Sequence, residues 1–382
     1  MHSRKPLIAQ VTGYYPPNVG GVEQRVKKLS ELLVDAGYKV YVFTSSTGSR
    51  PHTSELEDNL KVYYLRYFGF ASTPIMPSLL FRLMRLPRNS IVHLHVYHAF
   101  TPEMVYLMSK LKRIPYVAHV RIEMMPEGRF GFLLKFYKKR VLAIVLRHAD
   151  RVICLTDDYA DLMKNNYGVA EKNISVIPNA TDFEISTEPK VALHSPVRLL
   201  FVGRLVKQKN VSTLIDAINV YQKKYGSSLH LDIVGDGELK RDIKKQITCY
   251  KLTKAVTLRG VLHGEELQKT YAASDIFVFP TLYESFGSVY IEAMSKGLPI
   301  VTSKIDAVRN VVKERRNGLL VKPNADDFCE AIYLMISERE LYKSISQNNI
   351  TDIQIYRWSN ILKETQQIYE GILKTRSRTC ND

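Results

Sequence analysis

The sequence predicts an α/β protein built of two Rossmann-like, doubly wound domains, and three observations carry that expectation. At 382 residues the chain exceeds what one compact core usually serves and suits two domains, each able to bury a substantial interior. Short apolar runs that end in glycine or polar loops recur along it, each followed by helical apolar spacing, which is the pattern of βαβ units. Between two series of such units, residues 185–196 (Ile-Ser-Thr-Glu-Pro-Lys-Val-Ala-Leu-His-Ser-Pro) contain two prolines and no periodicity, as a linker does.

The first series opens with an apolar strand, Leu7 to Val11, too short and too quickly followed by a glycine loop to be the core of a signal peptide. The loop Thr12-Gly-Tyr-Tyr-Pro-Pro-Asn-Val-Gly20-Gly21 leads into a helix from about Val22 to Ala36, stopped at Gly37, and Lys39 to Thr44 is the next strand. Gly20 and Gly21 let backbone approach a ligand closely because no Cβ intervenes. They are not the Gly-x-Gly-x-x-Gly fingerprint, so a nicotinamide cofactor is not indicated. Further strands are expected at Leu60–Leu65, Ile91–His95, Pro115–Val120 and Arg151–Thr156, with Thr156 capping a helix. Open α/β sheets bind ligands at the carboxyl ends of their strands, so His93, His95, His98 and His119 are candidates. His93 and His95 would share one strand face, but no Asp, Glu or Cys accompanies them at ligand spacing, and a metal is not expected.

The second series begins with the strand Val197 to Val202, whose loop carries Gly203, Arg204, Lys207 and Lys209 ahead of a helix from Val211. Cations at a strand end beside a helix N-terminus converge on an anion, and arginine binds phosphate oxygens bidentately. His230–Glu238 and Ala255–Leu262 are further strand and turn units bearing Gly235, Asp236 and Val261. The buried strand Asp275–Pro280 then feeds Thr281-Leu-Tyr-Glu284-Ser285-Phe286-Gly287-Ser288-Val-Tyr-Ile-Glu292. With a helix starting near Gly287, the carboxylates of Glu284 and Glu292 can face one ligand. The free N–H groups at its N-terminus form a ready anion site. Two carboxylates beside an anion site suit a ligand with both hydroxyls and phosphate, and a sugar nucleotide has that composition. The last segment, Tyr356 to Lys374, has helical spacing, and Thr375 to Asp382 reads as a frayed tail.

The pattern Glu284-Ser-Phe-Gly, Glu292-Ala-Met, Gly297-Leu-Pro resembles the Glu-x7-Glu signature of the family 4 retaining glycosyltransferases, whose architecture is glycosyltransferase-B, two Rossmann-like domains facing across a cleft. Gly203-Arg204-Leu with Lys209 resembles the family's diphosphate-binding pair, and Ile174–Asp182 its Val-Ile-Pro-Asn-Gly-Val-Asp segment, with Ala180 in place of glycine. The likeness runs from residue 7 to about 374. It implies an acceptor-side domain of residues 1–185 plus 356–382, a linker of 186–196 and a nucleotide-sugar domain of 197–355. It further implies retaining transfer of a hexose from a nucleotide diphosphate donor to an acceptor hydroxyl, without a metal or other cofactor. His119, Arg204, Lys209 and Glu284 are the implied catalytic residues. Donor contacts fall to Gly20, Gly21, Arg204, Lys209, Gly235, Asp236, Val261, Glu284, Ser285, Phe286, Gly287, Ser288 and Glu292. The chain departs from the family at Ile305-Asp-Ala-Val-Arg-Asn310, where Gly-Gly-x-x-Glu is common, so no role is carried onto that loop.

Charge and cysteine usage narrow the setting. Cys154, Cys249, Cys329 and Cys380 lack Cys-x-x-Cys spacing, which points to a reducing, cytoplasmic compartment without zinc or a disulfide framework. The net charge is +16, and between Lys61 and Arg151 sixteen Lys or Arg face four Asp or Glu. There Ser78–Arg88 and Arg129–Arg147 mix bulky apolar with basic residues as interfacial helices do, although core packing accounts for such apolar residues equally well. The expected acceptor is a saccharide or lipid-linked molecule, with the protein peripheral on the inner face of an anionic membrane. A nucleic-acid partner is not expected, since no recognisable module for one is present. A sugar-nucleotide epimerase or phosphorylase on the same fold is the nearer rival reading, and a basic nucleic-acid-binding protein the more distant one.

Overall fold

The protein is described by a computed structural model covering residues 5–18, 21–46, 51–70, 73–96, 99–121, 136–226 and 229–379. It divides into two compact units, Met1–Pro178 with Ser359–Asp382, and Asn179–Trp358.

The first unit is organised on an eight-stranded sheet of β1 (Leu7–Val11), β2 (Lys39–Ser45), β3 (His52–Glu57), β4 (Leu60–Leu65), β7 (Ser90–Val96), β8 (Tyr116–Val120), β9 (Arg151–Cys154) and β10 (Ile174–Val176). A separate antiparallel pair is formed by β5 (Phe68–Phe70) and β6 (Thr73–Ile75). The sheet order is β10-β9-β8-β7-β1-β2-β4-β3, parallel throughout except for β3, which pairs antiparallel with β4. β1, β7 and β8 are buried along their whole length, as strands covered on both faces must be, and read as apolar runs for that reason. The helix Gly21–Asp35 packs through Val26, Leu29, Ser30 and Leu33, an i, i+3, i+4, i+7 stripe. From β1 the chain winds outward through β2 to β4, then returns to the other side of β1 with β7. The topological switch therefore lies between β1 and β7.

The second unit is a six-stranded all-parallel sheet, ordered β13 (Val256–Gly260), β12 (Leu229–Val234), β11 (Val197–Val202), β14 (Ile276–Phe279), β15 (Ile300–Ser303) and β16 (Gly318–Val321). Here the switch falls between β11 and β14. Helix ends follow local chemistry: Asn324 caps Ala325–Ser337 by accepting from the Asp327 N–H at 2.9 Å, and Gly226 ends Val211–Tyr225 in the left-handed conformation.

Two boundaries differ from expectation. Residues 186–196 lie within the second unit, because they are tied to it: Ser186 N–H donates to Ser295 O, Lys190 N–H to Ser346 Oγ, and His194 Nδ1 pairs with buried Asp275 at 2.7 Å. The last helix, Trp358–Thr379, runs past the expected start of a frayed tail. Arg376 near its end donates to Arg113 O and lies 3.5 Å from Asp150, which holds that turn in place.

Candidate active site

In the second unit the switch point is bridged by an ion pair. β11 is followed by a 3-10 turn at Lys207–Lys209, and β14 by the loop that carries Glu284. Lys209 Nζ pairs with Glu284 Oε1, each side chain only 11% exposed. The loops are also joined through backbone: Leu282 N–H donates to Gln208 O at 2.8 Å, and Gln208 Nε2 to Tyr283 O at 2.8 Å. Lys209 additionally sits 5.2 Å from the centroid of the Phe279 ring. The ammonium is thus fixed at the strand ends by both charge and packing.

The helix Ser288–Ser295 begins at Gly287, which adopts φ 73°. A Cβ there would lie 2.5 Å from the Tyr290 ring, so both conformation and space require glycine. Ser285 is half-buried, and Phe286 is buried 6.1 Å from the Tyr356 ring. The helix's first N–H groups lie beyond these residues. One turn into it, Glu292 Oε2 accepts from the phenol of fully buried Tyr271 at 2.8 Å. Burial, with Glu292 adjacent, raises the Tyr271 pKa well above its ordinary value and keeps it a donor. Sequence reasoning missed Tyr271 because nothing in its own helix, Gly264–Ala273, distinguishes it from a packing aromatic.

Arg204 is exposed, and its guanidinium has no partner among the described residues. Gly235 has a definite structural duty: at φ 139°, an added Cβ would lie 1.9 Å from Gly203 O, so the β11 and β12 loops touch backbone to backbone. Asp236 is exposed and engaged by Lys240 at 2.9 Å and the Gly237 N–H at 2.8 Å. Both hold its carboxyl below the usual aspartate range, the lysine contact contributing most. Val261 is 53% exposed in the turn after β13. The atypical loop forms a short helix, Asp306–Arg309.

In the first unit Gln10, His95 and His119 occupy the penultimate positions of β1, β7 and β8 respectively. Strand register sets His95 opposite His119 and His93 opposite Gln10. His93 Nε2 lies 3.1 Å from His119 Nδ1, His93 Nδ1 2.6 Å from the Tyr369 hydroxyl, and His95 Nε2 2.7 Å from Gln10 Oε1. Burial, then the Arg121 charge, lowers the His93 pKa to about 3. Burial likewise drives His95 and His119 well below the ordinary histidine value, so all three are neutral at pH 7. The three imidazoles offer nitrogens within 4.8 Å of one another. His93 and His95 are stacked at 4.7 Å with 19° between planes, and each of their ring nitrogens has a partner within the chain, Tyr369 and His119 for His93, Gln10 and Arg121 for His95. Arg121 Nε, 3.4 Å from His95 Nδ1, adds positive charge. The cluster is joined as a hydrogen-bonded network. Strand pairing, which single-strand spacing does not reveal, brings His119 to the other two.

Gly20, His98 and residues 122–135 lie outside the described residues, while Gly21 is the first residue of its helix. The basic region from Lys61 to Arg151 divides its apolar residues: Leu79, Leu83, Leu142, Val145 and Leu146 are buried, whereas Phe81, Leu107, Leu111, Phe136 and Ile144 are exposed. Among the described residues no helix is long and apolar enough to cross a membrane.

Two family models match consecutive parts of the chain: "Glycosyltransferase Family 4" over residues 19–185 and "Glycosyl transferases group 1" over 183–352. The GPI3 component of the Saccharomyces cerevisiae phosphatidylinositol N-acetylglucosaminyltransferase is 25% identical over 98% of this chain and 85% of that protein. An uncharacterized glycosyltransferase of Methanocaldococcus jannaschii is 28% identical over 97% of this chain and its own full length. Among solved structures, Anabaena HepE in complex with UDP superposes with a TM-score of 0.73 at 18% identity, covering 96% of this chain and 100% of that one. The same protein with UDP-glucose gives a TM-score of 0.67, also at 18% identity, over 98% of this chain and 100% of its own. These likenesses identify the glycosyltransferase-B fold.

Proposed function

Because the chain belongs to the glycosyltransferase group 1 and family 4 type and has the glycosyltransferase-B fold, we propose that it is a retaining hexosyltransferase using a nucleoside diphosphate sugar. The observation that carries this reading is the Lys209–Glu284 pair at the β11/β14 switch point, beside exposed Arg204 and the N-terminus of the helix that holds Glu292. Arg204 and Lys209 stabilise the departing diphosphate. Fixed cations aimed at charge that develops in the transition state supply the largest catalytic term in many enzymes. Glu292, oriented by Tyr271, accepts from the ribose hydroxyls. Glu284 and the N–H groups of Ser285 to Ser288 hold the sugar and phosphate, and His119 meets the transferred sugar. The acceptor hydroxyl attacks on the face the diphosphate leaves, its proton passing to the leaving phosphate. No resident metal is needed, since the cations supply the charge.

The HepE complexes support uridine as the base, and the phosphatidylinositol N-acetylglucosaminyltransferase relatives support an N-acetylhexosamine and a phospholipid-linked acceptor as the first pair to try. The basic first unit, with Phe81 and Leu111 about 60% exposed, supports peripheral attachment to the cytoplasmic face of an anionic bilayer. The test is a panel of UDP-, GDP- and ADP-sugars followed by thermal stabilisation and nucleoside diphosphate release, with Arg204→Ala and Glu292→Ala alongside. Stabilisation by one donor, lost in both variants, is expected. Equal stabilisation of wild type and variants, or none by any donor, overturns the reading. Retention of anomeric configuration in the product decides the stereochemistry.

A further inference from the structure

The buried network of the first unit has a direction that follows from its ends. The Tyr369 hydroxyl is fully buried and has one hydrogen-bond partner among the described residues, His93 Nδ1. An orphaned buried O–H costs more than an unused oxygen lone pair, so the tyrosine is the donor in this pair. His93 is neutral and has one proton, which must then sit on Nε2 and be donated to His119 Nδ1. His119, also neutral, is left with its proton on Nε2. That atom is the one in this relay that is buried without a partner.

A second relay runs parallel to the first. Arg121 Nε is an obligatory donor toward His95 Nδ1, which places the His95 proton on Nε2, facing Gln10 Oε1. The Gln10 carboxamide nitrogen, in turn, is buried without a partner. Both relays thus end in an unsatisfied N–H donor, Gln10 on β1 and His119 on β8, the two strands that neighbour β7, each one residue from its strand's carboxyl end. Buried donors are seldom left unmade in a finished fold, and these two, at the ends of one buried cluster, point to acceptor oxygens supplied from outside the chain.

We infer that Tyr369, acting through His93, fixes His119 as the Nε2–H tautomer and thereby makes it a hydrogen-bond donor to a substrate oxygen, a sugar hydroxyl or a phosphoryl oxygen. Tyr369 is a positioning residue, since it touches His119 only through His93. Gln10, at the end of the second relay on β1, is the counterpart of His119 on β8. The role in turnover rests on the reading that His119 meets the substrate; the tautomer itself does not.

The experiment is long-range 1H–15N correlation on protein labelled with 15N-histidine, His119 being assigned by its loss in His119→Gln. Wild type is expected to show His119 protonated at Nε2 alone. A His119 protonated at Nδ1, or a mixture of tautomers in wild type, overturns the inference without any variant. In Tyr369→Phe, His93 is released to either tautomer and His119 follows it into a mixture. Turnover is then expected to fall about tenfold, the scale of one lost hydrogen bond, with donor affinity unchanged. Turnover lost while the His119 tautomer stays pure shows a merely structural tyrosine and overturns the inference. A mixed tautomer with full turnover sinks the assignment of His119 to the substrate, while the relay of protons stands.

Discussion

The phenol of Tyr271 reaches across from its own helix to donate to Glu292 Oε2 at 2.8 Å, so the carboxylate assigned to the ribose is oriented before any ligand arrives. Tyr271→Phe keeps the ring's packing and removes only this donor. A hydrogen bond to a charged group contributes about 1.5–3 kcal/mol, part of which appears as donor affinity. The donor KM is expected to rise roughly tenfold or somewhat more, with kcat nearly unchanged, because ribose contacts are the same in ground and transition states. Steady-state kinetics with the stabilising donor check this. A fall in kcat at constant KM would contradict the ribose assignment.

The Lys209–Glu284 pair separates structure from catalysis in another way. Breaking a buried pair by removing one partner costs about 3–5 kcal/mol, whereas removing both at once is often neutral. Lys209→Met is therefore expected to lower unfolding free energy in urea, and Lys209→Met with Glu284→Gln to recover most of that loss. Activity is expected to follow a different rule. The single and double variants should all stay about 100- to 1,000-fold down in kcat, as when a transition-state electrostatic group is lost. Recovery of activity together with stability in the double variant would show that the pair is only a structural clasp.

Much of this arrangement is legible in the chain, and the part that is not has a common cause. β1, β7 and β14 announce themselves as apolar runs because both their faces are covered, and Gly287 announces the start of a helix because few other residues fit there. β3 leaves no such signal: it is an antiparallel edge strand, His52-Thr-Ser-Glu-Leu-Glu57, in which Leu56 alone is apolar and no hydrophobic alternation arises. The pattern around Glu284 and Glu292 is readable as local spacing. Their partners Lys209 and Tyr271 lie 75 and 21 residues away, and a contact made by sheet order leaves no mark in local sequence. For the same reason His93 and His95 read as a pair, without His119 and Tyr369. The segment 186–196 reads as a linker on its prolines, because composition does not report the hydrogen bonds by which Lys190 and His194 are fastened.

Gly235 gives a prediction about the frame that carries the site. At φ 139° with Gly203 O where a Cβ would be, Gly235→Ala must push the β11 and β12 loops apart. Overpacking of this kind costs about 1–3 kcal/mol and sometimes more. The displaced loop bears Arg204, so donor-induced stabilisation is expected to weaken as well. Gly226→Ala, also at positive φ but with open space around its missing Cβ, is the control. It carries only the conformational cost of about 1–2 kcal/mol and leaves donor binding intact. Equal loss of donor binding in both variants would remove the special status of the Gly203–Gly235 contact.

Acid should unfold this protein earlier than its carboxylates alone would dictate. His93, His95 and His119 have folded-state pKa values depressed by burial, to about 3 for His93, while the unfolded chain takes up protons near 6.5. Below pH 6.5 the unfolded state therefore binds more protons than the folded one, and stability falls as pH falls. Each histidine that stays neutral contributes up to about 1.4 kcal/mol per pH unit to that slope. The contribution is fully present above pH 6.5 and is progressively lost toward pH 3. Urea midpoints measured between pH 7.5 and 5 are expected to decline steeply, and more shallowly in His95→Gln, which retains a polar side chain without a titratable ring. An identical slope in wild type and His95→Gln would mean that His95 charges readily in the folded state, and so that the neutral network is not maintained.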